Sequence, residues 1–146
     1  MAEDVRKENM ALVERMYECF NRGDLQTIKD EVFSSDLVWR LPGRHPLGGV
    51  KNGPDEVLAF FGKLGEADIK VDLIGVDTFG DDTVVEVHRG QGQSGDAVLD
   101  ALNCTHYRIR DGRIAEVQVY MSDQYSADNF FWEVFGLAPI PARLGA

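Results

Sequence analysis

The chain has 146 residues, 44% of them hydrophobic and 27% charged, which suits one globular domain (residues 1–146) able to bury a core without disulfide or metal staples. Its formal net charge of -10 repels phosphate backbones and anionic bilayers. Its basic residues are scattered, with Arg40, Arg44 and Lys51 the nearest approach to a cluster, so neither nucleic acid nor membrane is an expected partner.

Between residues 4 and 22 the apolar positions Val5, Leu12, Val13, Met16, Tyr17 and Phe20 recur mostly three and four apart, which predicts an amphipathic helix stopped by Gly23. Asp24 is a natural N-cap for a shorter helix carrying Leu25, Ile28, Val32 and Phe33. Ser34-Ser35-Asp36 breaks that pattern. Leu37, Trp39 and Leu41 then alternate with Val38 and Arg40 as a short strand ending at Pro42-Gly43. Beyond it, the run to Pro54 is rich in Gly and Pro and is expected to be a rim or lid loop without a regular element. Pro54 suits the first turn of a third helix, with Val57, Phe60, Phe61 and Leu64 on one stripe, ending at Gly65.

Four antiparallel strands are expected over residues 69–79, 83–91, 98–109 and 114–122, joined by turns at Gly80-Asp81-Asp82, Ser94-Gly95-Asp96 and Asp111-Gly112. Short turns make sequence neighbours sheet neighbours. An aromatic helix follows at residues 128–135, and the tail LAPIPARLGA is expected to be extended. Helices, strand, helix and then four long strands favour an α+β domain in which a strongly curved sheet wraps helices on its concave side and leaves a pocket between them.

Cys19 and Cys104 stand in no ligand or disulfide spacing and are expected as buried or half-buried thiols. MAEDVRKENM lacks the apolar core of a signal peptide, and no apolar run approaches ~18 residues, so a cytoplasmic location is expected.

The sequence resembles the nuclear transport factor 2-like superfamily, and within it the SnoaL-like group of polyketide cyclases and relatives of ketosteroid isomerase. The resemblance is carried by Tyr17 to Asp24 (YECFNRGD), Leu37 to Gly43 (LVWRLPG), His45 to Gly53 (HPLGGVKNG), Asp55 to Phe61 (DEVLAFF), and Asp111 to Glu116 (DGRIAE) followed by Asp123. It implies a cone-shaped, cystatin-like α+β barrel with a mixed or antiparallel sheet, commonly a homodimer through that sheet. It also implies an apolar pocket for a small-molecule substrate and acid/base chemistry without cofactor or metal. The position matching the general-base Asp of ketosteroid isomerases is Leu41. Their oxyanion-hole Tyr falls near Met16 or Tyr17, and their protonated Asp, a worked example of a carboxylic acid kept neutral, near Asn103 or Thr105. Steroid isomerisation by that route is therefore not expected. SnoaL-like cyclases place an acid/base Asp toward the end of the last strand, where Asp123 stands.

The residues around Asp123 have their own logic. Ala115, Val117, Val119 and Met121 alternate with polar neighbours, and Asp123 falls in phase with the apolar set. It either caps the next turn or sits in a pocket mouth, where desolvation would suit it to proton transfer. Asp123 is thus the leading catalytic candidate, with His45 of the rim loop and Tyr17 as partners. Asn103 and Tyr107 share the face of Leu99, Ala101, Thr105 and Ile109 and are candidate ligand donors. Trp39, Phe60, Phe61, Val119, Met121, Phe131 and Trp132 are candidate pocket walls, with Phe130 either wall or core. His88 and His106 share parity with polar neighbours and are expected on an exposed or interface face. Two function classes follow. One is a cyclase, isomerase or dehydratase acting on an apolar carbonyl compound; the other is a non-catalytic ligand- or protein-binding module, in which Asp123 would cap the last helix. Epoxide or halide chemistry on this fold wants an Asp/Arg/Asp or His/Asp cluster that the sequence does not assemble.

Overall fold

The computed structural model describes residues 2–136, and the expected extended tail lies outside them. Helix α1 (Ala2–Arg22) has Glu3 and Asp4 in its first turn and Arg22 in its last, matching the helix dipole at both ends. It buries Val13, Met16, Tyr17 and Cys19 and ends at Gly23, whose φ of 73° a residue with a side chain adopts poorly. The Asp24 carboxylate then accepts from the Thr27 amide at 3.1 Å and starts α2 (Leu25–Thr27), which passes directly into a π-turn (Ile28–Val32).

Strands β1 (Phe33–Leu41), β2 (Gly49–Asn52), β3 (Lys70–Thr78), β4 (Thr83–Ser94), β5 (Ala97–Arg110) and β6 (Arg113–Met121) form one curved, unclosed sheet in the order β2-β1-β6-β5-β4-β3. Every adjacent pair is antiparallel except β1 and β6. Register shifts in the β1–β6, β3–β4 and β5–β6 pairings add local twist, which helps to bend the sheet around its helices. Helix α3 (Pro54–Glu66) packs on β1 and β2, and α4 (Gln124–Phe135) packs against β5.

Several boundaries differ from the sequence expectation, three of them with a clear physical reason. Strand β1 begins at Phe33 and includes Ser34-Ser35-Asp36, because pairing with β6 at Phe33↔Ile114 outweighs the turn preference of those residues. Within the expected loop, Gly49 to Asn52 pair with β1, so the Gly/Pro-rich run is a hairpin whose return strand is β2. Helix α4 starts four residues earlier than expected, capped by Asp123.

On β4, Val84, Glu86, His88 and Gly90 turn inward, whereas Val85, Val87 and Arg89 turn outward. The outer face is partly apolar: Ile74, Val98, Leu102 and Tyr120 are all more than half exposed. Cys104 is exposed beside them, correcting the expectation of a buried or half-buried thiol, because it takes the outward parity of β5.

Candidate functional site

The concave face of the sheet and helices α1, α3 and α4 enclose a cavity of about 90 Å³ with walls that are almost wholly apolar. Trp39 and Leu41 of β1, Phe60 and Phe61 of α3, and Val119 and Met121 of β6 form much of that wall. Leu41, at the position that the resemblance matches to the general-base Asp of ketosteroid isomerases, is a wall residue. Trp39 meets Phe61 edge to face, with centroids 5.3 Å apart, and Tyr107 at 6.2 Å. Phe131 of α4 closes another side and packs on Phe130, which is buried in the core.

One polar cluster interrupts this lining. Tyr17 reaches in from α1, His88 from β4 and Tyr107 from β5, and Glu86 of β4 joins them from outside the wall itself. The Glu86 side chain has no exposure at all. Its Oε1 accepts from the hydroxyl of Tyr107 at 2.8 Å and from that of Tyr17, while its Oε2 lies 2.9 Å from His88 Nδ1. The Tyr17 hydroxyl lies 3.2 Å from the same Nδ1. An ionised carboxylate only accepts, so the neutral form of the imidazole facing it carries its proton on Nδ1 and its lone pair on Nε2, which has no protein partner among the described residues. Burial first, and then the Glu86 charge, push the Tyr17 phenol well above the ordinary tyrosine value. Burial first, and then Tyr17 and Glu86, do the same to Tyr107. Both phenols therefore stay protonated and keep donating to the carboxylate.

Asn103 is the direct cross-strand neighbour of His88 and also lines the cavity. Its Oδ1 accepts from the Ser122 amide at 3.3 Å, which orients the amide group and leaves its NH₂ available.

The expected catalytic set divides. Tyr17 lies in the cavity wall, and so do the expected wall and donor residues Trp39, Phe60, Phe61, Asn103, Tyr107, Val119, Met121 and Phe131. Asp123 does not. Its carboxylate accepts from the Ser126 amide at 3.0 Å and from the Ser126 hydroxyl at 2.7 Å, capping α4. Those bonds, led by the hydroxyl, hold its carboxyl below the ordinary carboxylate value, the opposite of what a desolvated base requires. Strand parity predicts orientation only while the strand lasts, and β6 ends at Met121.

His45 is also outside the wall. Its inaccessible ring packs at a tilt against Phe131, 4.7 Å between centroids, and its Nδ1 accepts from the Leu47 amide at 3.1 Å. Trp132 is partly exposed and donates its indole N–H to the Arg44 carbonyl at 2.5 Å. Both residues clamp the rim loop to α4. His106 stands on the outer face opposite Val85 and Gln118.

Sequence reasoning missed the Glu86–His88 pair. The available signal was a single acidic residue inside the apolar run Val84-Val85-Glu86-Val87. No group of His, Cys, Asp and Glu suited to a metal ion occurs among the described residues.

A curved α+β sheet closed by helices over an apolar, polar-tipped hollow defines the nuclear transport factor 2-like class of folds. Within that class the chain belongs to the SnoaL-like domain family, whose match covers residues 13–117. It is 29% identical over 126 residues to an uncharacterised protein of Mycobacterium tuberculosis, covering 84% of this chain and 95% of that one. A protein from a soil-derived mobile gene cassette, Bal32a, superposes with a TM-score of 0.82 at 30% identity, covering 87% of this chain and 98% of that chain. A putative polyketide cyclase from Xanthomonas campestris shares the fold at a TM-score of 0.66 and 21% identity, with coverage of 85% and 98%.

Proposed function

We propose that the chain is a cofactor-independent acid/base enzyme acting on a compact, apolar, carbonyl-containing molecule held in the cavity, with His88 as the base. One observation carries this reading: an imidazole in the cavity wall whose Nδ1 is tied to a fully buried carboxylate. His88 Nε2 takes a proton from the carbon next to the carbonyl, the C–H electron pair becomes the enolate, and Glu86 stabilises the imidazolium that forms. Returning the proton at another carbon gives an isomerase; attack of the enolate on a second carbonyl gives a cyclase; loss of a β-hydroxyl gives a dehydratase. Tyr17 and Tyr107 hold Glu86 in place, and the apolar wall excludes water.

The probe for this reaction is 2-indanone, a small ketone with exchangeable α-hydrogens. In D₂O the protein should accelerate α-deuterium incorporation, followed by NMR, and His88→Gln should lose at least about tenfold of that rate. Equal exchange in the two proteins would remove His88 from the mechanism. The rival reading, a binding module without chemistry, draws support from the capping role of Asp123. It expects saturable binding of the ketone with no acceleration.

A homodimer through the outer face of the sheet belongs to the same proposal. The resemblance to the superfamily supports it, as does the exposed apolar strip of Leu102 and Tyr120 with Val87 half-buried beside them.

A further inference from the structure

We propose that Gly90, paired across the sheet with Ala101, is the specificity-determining floor of the cavity: the side chain it lacks is the space that a flat ring of the ligand takes. This rests on the cavity being the ligand site, as proposed above, but not on proton transfer by His88.

A glycine inside a strand costs chain entropy and forgoes packing, so its place calls for a reason. The usual reasons are missing here. The φ of Gly90 lies outside the left-handed region. The residue stands in regular register with Val71 of β3 and Ala101 of β5, so it makes no bulge. Nor does a neighbour press on it. A Cβ there would meet one atom within 4 Å among the described residues, Asn103 Nδ2, at an ordinary contact distance of 3.8 Å. Gly92, two residues on, shows the contrast. A Cβ at that position would lie 2.5 Å from Ile69 Cδ1 and 3.1 Å from Phe130 Cζ, so packing accounts for that glycine. Gly90 is buried in the cavity wall, and what stands over it is cavity.

An independent observation points to a ligand there. Asn103 is 7% exposed. Its Oδ1 is tied to the Ser122 amide, and its nitrogen has no partner among the described residues. The sealed, unpaired polar atoms among those residues are Trp39 Nε1 and His45 Nε2, so the Asn103 nitrogen is unpaired and yet open. It is also the atom that overlooks the Gly90 position. A buried amide with a free donor calls for an acceptor that the fold itself does not supply.

The register gives the ligand its shape. His88 pairs with Asn103, and Gly90 with Ala101, on the inward face of β4 and β5. Two residues along a strand span about 7 Å and neighbouring strands lie about 5 Å apart, so these four corner an area the size of one flat ring. Polar groups hold one end, a glycine and an alanine the other. A carbonyl compound with its oxygen at Asn103 and its α-carbon toward His88 therefore lays an adjoining apolar ring on Gly90 and Ala101. The class that fits is a cyclic ketone carrying a second, flat ring fused to the first.

The test compares 2-indanone with cyclopentanone, which lacks the fused ring, binding to the wild type and to Gly90→Ala in ¹H–¹⁵N titrations. The wild type should prefer 2-indanone, and nuclear Overhauser contacts should join the Gly90 α-protons to the aromatic protons of the bound ketone. Gly90→Ala should keep the circular dichroism spectrum and a Tm at or above that of the wild type, because the unfolded chain loses freedom and the methyl meets open space. The preference for 2-indanone, measured as a ratio of Kd values, should fall at least about tenfold, since the methyl takes room that the fused ring needs. An unchanged ratio in Gly90→Ala, or no contact between Gly90 and saturating 2-indanone, overturns the assignment. So does a Gly90→Ala chain that melts several degrees earlier or does not fold, because the glycine then serves packing. Binding of neither ketone removes the cavity as the ligand site and this assignment with it. Absent α-exchange with the Gly90 contact intact counts against His88 alone.

Discussion

Glu86 is a carboxylate sealed from water and satisfied by three side chains from two strands and a helix. Removing one donor leaves an oxygen partly unpaired in a low-dielectric interior, so Tyr17→Phe should lower unfolding stability by about 1–3 kcal/mol in urea titrations. Because Tyr17 and Tyr107 serve the same oxygen, the double variant should be non-additive by about 0.5–3 kcal/mol. Strict additivity would mean that the two phenols do not share one carboxylate. Glu86→Gln keeps the shape and removes the charge that steadies the imidazolium. It should therefore reduce 2-indanone exchange by at least about tenfold with little loss of secondary structure by circular dichroism. None of this was legible from alternation alone. His88 and Glu86 share a parity, but alternation predicts polar residues outside, and here the valines at 85 and 87 take the outward positions while the polar pair satisfies itself within.

At the scale of elements, the rim between β1 and β2 is fastened to α4 by buried and half-buried polar groups. Asp128 Oδ1 accepts from Gln124 Nε2 at 2.8 Å and from the Arg44 amide at 3.3 Å, while His45 packs against Phe131. Burial, against the opposing pull of Asp128 and with the aid of Lys51, holds the His45 imidazole below its ordinary value of 6.5. The unfolded chain therefore takes up this proton before the folded one does. Stability from the neutral clamp is fully present above pH 6.5 and is lost as the pH falls through the lower folded value. Thermal melts should show the wild type losing Tm faster than His45→Asn below that pH, since the amide oxygen can take the Leu47 N–H without titrating. Gly43 has φ 119°, and a Cβ there would crowd Gln124 Nε2 and sit 2.6 Å from Asp128 Oδ1. Gly43→Ala should accordingly loosen the same clamp, seen as faster amide exchange in α4. Asp123→Ala should cost the cap a few degrees of Tm and leave 2-indanone exchange intact, which separates this residue from His88. The helices and the four long strands were readable because their periods are long and their turns carry Gly and Asp. Strand β2 was not, because it has four residues and its identity depends on a partner, β1, that the local sequence does not describe.

At the scale of the molecule, the fold followed from the order of elements and the curvature that bulges impose, whereas the site depended on which face of each strand looked inward. The outer face carries the remaining prediction. If Leu102, Tyr120 and Val87 meet a second copy, Leu102→Asp should convert a dimer to a monomer in sedimentation without changing the circular dichroism spectrum. An unchanged mass would place any association elsewhere. The parallel seam has a different consequence. Strand β6 lies between β1 and β5, so the first hairpin of the chain can join the sheet only after residues 113–121 have been made. A nascent chain therefore holds β1 and β2, with only α3 to cover their greasy inner residues, apart from the rest of the sheet through most of translation. Refolding should be governed by this late, long-range closure and fall in the millisecond-to-second range typical of such topologies.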